Sequence, residues 1–363
     1  LLVSISSFYV SKKTIIILSI FVITECLVVL IFNIGPYYRF LSGILWLSAL
    51  LLIITNGEKN HKYSQKIVFQ IILYTLAISS IYMCIEYFFV IEPNTSKRPK
   101  AGFSEPSYAA LALLAGAAAL ISMTLISRFS KKYLIINCII LILLLAASFF
   151  AKSMHFVTFA IALVIIIVLW LSYKISIIKL TVFFLIVFSI FCAGFILLSY
   201  PHYYDRVNIF VNPASMTNPS LLSWLRGLDQ AIVVLKNSPL FGYGIGSTGY
   251  FDFESAYGDR LAYYRIYDLT LRDAFSLLWR LIIEIGILPI FIFSIYLLSR
   301  IREFRLFLIN NHDDKNFKYI VFNFTFALAL ILGCLIKEPN YARSTMFLGI
   351  FLISTVSLKI NDK

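Results

Sequence analysis

The sequence predicts an all-α polytopic membrane protein with about ten transmembrane helices and one long connection on a single face. Three observations carry this. Hydrophobic residues make up 60% of the 363 residues and charged residues only 13%, whereas a soluble domain is about half apolar and roughly a quarter charged. Apolar runs of about twenty residues, enough to cross a hydrocarbon core as a helix, recur along the whole chain. The short segments between these runs hold most of the cations behind the net charge of +13, a pattern set by bilayer topology. A β-barrel would show short alternating segments instead. No basic helix or base-stacking motif points to a nucleic acid.

The spans fall at 14–33, 39–55, 67–91, 106–127, 133–150, 156–173, 179–200, 276–298, 319–336 and 345–358, and residues 1–10 fit the tail of one further helix. The whole chain 1–363 reads as a single integral membrane domain. Loops holding Lys12, Lys13, Lys59, Lys62, Lys66, Arg128, Lys131, Lys132, Arg300, Arg302 and Arg305 are short and cationic, which places them and both termini in the cytoplasm. The opposite face carries 34–38, 92–104, 151–155, 201–275 and 337–344. Segment 201–275 is its long loop, with six cations nearly balanced by seven acids and many tyrosines. Unstructured connections of that length are usually functional. The five cysteines sit in separate apolar runs and the four histidines are scattered. Neither set has metal-ligand spacing, so no metal and no cofactor is expected.

Three motifs stand out on the outer face. In "RPKAGFSEPSYAAL", Ser104, Glu105 and Pro106 open the fourth span. Ser104 suits an N-cap, Pro106 has no amide hydrogen to lose, and Glu105 suits the positive end of the helix dipole. As a helix start this is complete. As chemistry, Glu-Pro occurs three times on this face, at Glu92-Pro93, Glu105-Pro106 and Glu338-Pro339, close to Arg98 and Arg343. Carboxylates at membrane depth tend to be paired or functional. In "WLRGLDQAIVVLKNSPLFGYGIGSTGY", Arg226 opens an amphipathic helix that suits the interface, and Gly242, Gly244 and Tyr243 lie in a turn-rich stretch that lets a ligand approach closely. In "RDAFSLLWRLIIEIGILP", Arg280 and Glu284 are spaced i, i+4 and share a helix face. They form either a mutual ion pair or, with Arg280 turned to a cavity, a phosphate contact.

Together these segments resemble the O-antigen polymerase family (the Wzy type), within a superfamily that includes the O-antigen ligases. Ligases carry a histidine near the start of the third motif. Here the stretch reads "RDAFSLL", with Asp273 near that position, which favours the polymerase. The resemblance implies a GT-C-like glycosyltransferase in the bacterial inner membrane. It would polymerise undecaprenyl-diphosphate-linked oligosaccharide repeats on the outer face. Donor and acceptor are both lipid-linked, and a chain-length regulator protein fits as a partner. Inverting, metal-independent transfer is expected. Arg98, Arg226, Arg280 and Arg343 would hold the diphosphate leaving group, Glu105 would orient or deprotonate the acceptor hydroxyl, and Tyr243, Gly242, Gly244 and Asp273 would meet the glycan. A ligase-type transferase and a flippase for lipid-linked glycans are the alternatives. A flippase would show internal repeats and broken helices at the midplane.

Overall fold

The computed structural model describes residues 12–32, 34–56, 64–90, 106–126, 131–151, 218–311, 316–337 and 344–356. The predicted spans 156–173 and 179–200, residues 201–217 of the long loop, and Arg98, Glu105 and Arg343 lie outside the described residues. Among the described residues all regular structure is helical. Helices α1 (Lys12–Phe32), α2 (Tyr37–Asn56), α3 (Gln65–Ile85, continued by a π turn Glu86–Val90), α4 (Pro106–Ile126) and α5 (Lys131–Phe150) form the N-terminal half. They are followed by α6 (Pro219–Asn237), α7 (Ala256–Tyr263), α8 (Leu277–Ile285), α9 (Ile287–Asn310), α10 (Phe317–Lys337) and α11 (Ser344–Thr355). Among the described residues six helices are long and apolar enough to cross a membrane, namely α1 to α5 and α10.

The two central helices are α4 and α10, which pack on each other. In α4 the run "YAALALLAGAAALISM" is almost wholly buried. Small side chains let neighbouring backbones come close where lipid removes the usual hydrophobic drive for association. At Gly116 an added Cβ would sit 2.3 Å from Leu76 Cδ1 of α3. By contrast α1, α2 and α5 expose Ile20, Leu30, Leu45 and Ile142 on their outer sides. A helix apolar on every face that still exposes one side has lipid as its natural solvent. At one end of the bundle Asn323 of α10 donates to the backbone of Gln65 at the start of α3, and Arg300 of α9 donates to the carbonyls of Ile353 and Val356. At the other end Trp224 and Ser276 donate to Ile336 and Leu335 at the end of α10.

The predicted single span 276–298 is corrected. The chain breaks at Gly286 into α8 and α9, and α9 runs on to Asn310. Gly286 has φ +75°, and an added Cβ would lie 2.3 Å from the Leu240 carbonyl oxygen. The break exists because another segment docks in it. The start of the amphipathic helix is corrected too. It begins at Pro219 behind an Asn218 cap that accepts from the Ser220 and Leu221 amides, so Arg226 lies inside the helix rather than at its opening.

Candidate functional site

One face of α6 is buried through Leu222, Ser223, Arg226, Gly227, Gln230, Ala231 and Val234. Three of these are polar, and they share one task. Ser223 donates to the Leu269 carbonyl, Arg226 to the carbonyls of Tyr267 and Leu269, and Gln230 to that of Leu271. From α2, Arg39 donates to the Arg272 carbonyl at 3.0 Å. The receiving stretch, 264–276, is a strap with only a short 3-10 turn at Leu271–Asp273. Arg265, Thr270, Ala274 and Phe275 all have positive φ, at a cost of about 1 kcal/mol or more each. Side-chain donors reaching in from α6 and α2 hold the strap there. Burial pulls the Arg226 guanidinium below its usual range, and the neighbouring Tyr267 and Asp268 pull the other way.

Segment 238–248 fills the break between α8 and α9. Tyr243 and Gly244 donate their amides to the carbonyls of Ile283 and Glu284, and Ile287 and Leu288 donate theirs to Pro239 and Leu240. Residues 242–248 are all buried. Gly244 packs on Val28 and Val29 of α1, so irregular backbone descends alongside a spanning helix. Such backbone is tolerated at that depth when enclosed by protein and hydrogen-bonded; here it is buried, and the Gly242, Tyr243, Gly244 and Ser247 amides are bonded to carbonyls. Gly242, at φ +66°, has no room for a Cβ, which would lie 2.6 Å from the Ile283 carbonyl.

Beneath this segment lies a buried polar cluster. Glu284 is 0% exposed and its Oε1 accepts from Arg280 Nε and from Thr248 Oγ1, each at 2.9 Å. Arg280 also reaches Asp273 Oδ1 at 3.4 Å. The ion pair suggested by the i, i+4 spacing is thus formed, and Arg280 bridges two carboxylates. Glu25 of α1 completes the group. It is 3% exposed, and Val28 and Val29, one turn further along α1, pack on Gly244 of the docked segment.

Above the cluster opens a cleft of about 640 Å³ lined by Gly249, Tyr250, Phe251, Asp252, Phe253, Glu254, Tyr267 and Leu271. Its wall combines aromatic rings with two carboxylates. Arg39 and Arg272 lie 5.5 Å and 5.2 Å from the Tyr250 ring centroid, close enough for cation–π attraction. Neither arginine forms an ion pair among the described residues.

The sequence-predicted residues divide accordingly. Arg226, Arg280 and Asp273 are at the site, the first two committed to carbonyls and carboxylates. Tyr243 is 8% exposed, packs on Phe32 and Phe251, and accepts from Asn237 through its hydroxyl. Its ring is a packing element and not a free wall of the cleft. Gly242 and Gly244 serve the docking of the loop. Sequence reasoning missed Glu25 and Arg39. A signal existed for each: a lone carboxylate inside an apolar span, and a cation on the face where cations are depleted.

No family model matches the sequence, and no curated protein matches it.

Proposed function

We propose that this protein is a membrane glycosyltransferase that polymerises undecaprenyl-diphosphate-linked oligosaccharide repeats on the outer face of the bacterial inner membrane, as the O-antigen polymerases it resembles do. The observation that carries the reading is the cleft beside the strap. Aromatic faces suit sugar rings, and Asp252 and Glu254 suit sugar hydroxyls. Arg39 and Arg272 stand at the same wall with guanidinium donors for an anion, and arginine's planar fork matches phosphate oxygens.

In the proposed reaction the acceptor hydroxyl oxygen forms a bond to the donor's anomeric carbon. The bond from that carbon to the diphosphate oxygen breaks, and its electron pair leaves with the lipid diphosphate. The hydroxyl proton passes to a carboxylate, Glu105 being the assigned base. Arginines beside the leaving group stabilise its developing charge. Arg39 and Arg272 join Arg98 and Arg343 in that role, and Arg226 acts through the strap. One observation favours a lipid-linked glycan transporter instead: the helix break at Gly286, of the kind transporters place at ligand sites.

The test is a reconstituted assay with a synthetic lipid-diphosphate repeat unit. A ladder of longer lipid-linked glycans is expected, surviving EDTA and absent in folded Glu105→Gln and in the Arg39→Gln, Arg272→Gln double variant. Movement of the lipid-linked repeat across a vesicle without any ladder would establish the transporter.

A further inference from the structure

The buried group around Glu25 has no part in the glycosyl-transfer reading and carries an inference independent of it. Glu25 lies seven residues before the end of α1, about 10 Å along the helix axis. Val28 and Val29, one turn further along the same helix, pack on Gly244 of the docked segment. Glu25 Oε2 is buried with no hydrogen-bond partner. Ser247 is 0% exposed and its Oγ is likewise without a partner. Ser247 precedes Thr248, whose hydroxyl donates to Glu284. The re-entrant segment therefore lies between α1, where Val28 and Val29 pack on Gly244, and Glu284, which accepts from Thr248, with the bare Glu25 oxygen one helical turn away on α1.

The charged and titratable groups around Glu25 can be named element by element. From α8 come Glu284 and Arg280, and through Arg280 the strap adds Asp273. From α2 comes Arg39, whose Cβ packs at Gly246. The re-entrant segment adds the Tyr243 phenol, already bonded to Asn237, and neutral hydroxyls. Among the described residues Arg280 is the cation that meets these carboxylates, and its Nε and one terminal nitrogen already face Glu284 and Asp273. A second buried carboxylate with a bare oxygen and no cation of its own is costly in an apolar interior. A proton on that oxygen removes the charge and supplies a donor.

We propose that Glu25 and Glu284 form a proton-binding site, with the proton carried on Glu25 and segment 242–248 docked while it is held. When the proton leaves, the Glu25 O–H bond breaks, the carboxylate keeps the electron pair and the proton passes to water. Two buried carboxylates then repel each other beneath the segment that continues into the cleft wall at Gly249–Glu254. Docking is favoured at low pH and weakens as pH rises, because the docked state binds the extra proton.

The experiment uses the full chain in detergent and reads two signals. Infrared spectra at neutral pH should show a buried carboxylic-acid C=O band that disappears in Glu25→Gln. Hydrogen exchange, corrected for intrinsic rates, should show protection of 242–250 falling by about tenfold per pH unit once docking and proton uptake are linked, while Glu25→Gln keeps its protection across the same range. A wild-type spectrum without the band, or a band unchanged in Glu25→Gln, would overturn the proposal. So would protection that depends on sodium against choline at fixed pH, which would mean a metal cation in place of the proton. If Glu25→Gln fails to fold, the presence of the band and the pH dependence of exchange in the wild type still decide the matter, with Glu284→Gln as the second variant, which should lessen the pH dependence by removing the repelling partner. None of these readouts requires glycosyl transfer, so failure of the polymerase assay leaves this test intact.

Discussion

Replacing Arg226 with alanine separates two roles for this side chain. Arg226 is 1% exposed and donates to the carbonyls of Tyr267 and Leu269, and its guanidinium carbon lies 5.5 Å from the Tyr267 ring centroid. A hydrogen bond from a charged donor is worth about 1.5–3 kcal/mol, so two give about 3–6 kcal/mol. Tyr267 and Leu269 are exposed residues, so their carbonyls regain water once the clamp is gone, and Ser223 still donates to Leu269. The lower end applies, about 3 kcal/mol. Because the strap is local, the loss appears there first. Hydrogen exchange of 264–276 should accelerate by roughly a hundredfold, since each 1.4 kcal/mol is a factor of ten, while α4 and α10 keep their protection. Arg226→Lys should lie between, because one ammonium cannot reproduce the fork. Unchanged strap exchange together with lost ladder formation would refute the reasoning and return Arg226 to a direct contact with diphosphate.

Gly286→Ala should cost about 3 kcal/mol or more, because both its φ and the Leu240 carbonyl exclude a Cβ; the yield of folded protein and thermal unfolding in detergent check this. Thr248→Val removes a buried hydrogen bond to Glu284 and should destabilise by about 1–3 kcal/mol, seen as a lower unfolding midpoint with the helix content unchanged. Tyr250→Ala removes the ring beside both Arg39 and Arg272. It should weaken binding of a lipid-diphosphate probe by roughly twofold to fivefold, since a cation–π contact at an exposed site is worth about 0.5–1 kcal/mol, and leave stability near wild type.

Much of the fold is legible in the residues because apolar length and cation placement are local properties. The runs that become α1 to α5 and α10 can be read directly, since a helix that crosses a bilayer needs only hydrophobicity and length. The amphipathic spacing of α6 and the Arg280–Glu284 pairing are legible for the same reason: i, i+3 and i, i+4 neighbours are set by the helix itself. The break at Gly286 is not. A glycine inside an apolar run is common in membrane helices, and what forces this one to positive φ is the Leu240 carbonyl more than forty residues upstream in the chain.

The candidate site follows the same division. The sequence by itself determines that the chain is built for a bilayer. It also puts Arg280 and Glu284 on one helix face. Only the tertiary structure decides what those groups meet. It spends Arg226 on the strap carbonyls, buries Tyr243 between Phe32 and Phe251, and sets Arg39 and Arg272 against Tyr250 beside the cleft. It also brings Glu25 of the first helix to Glu284 of the eighth. The physical reason is sequence distance. Helix periodicity fixes neighbours within a turn or two, while the partner of a buried charge is set by which helices pack together, and packing between apolar helices leaves no signature in either one read alone.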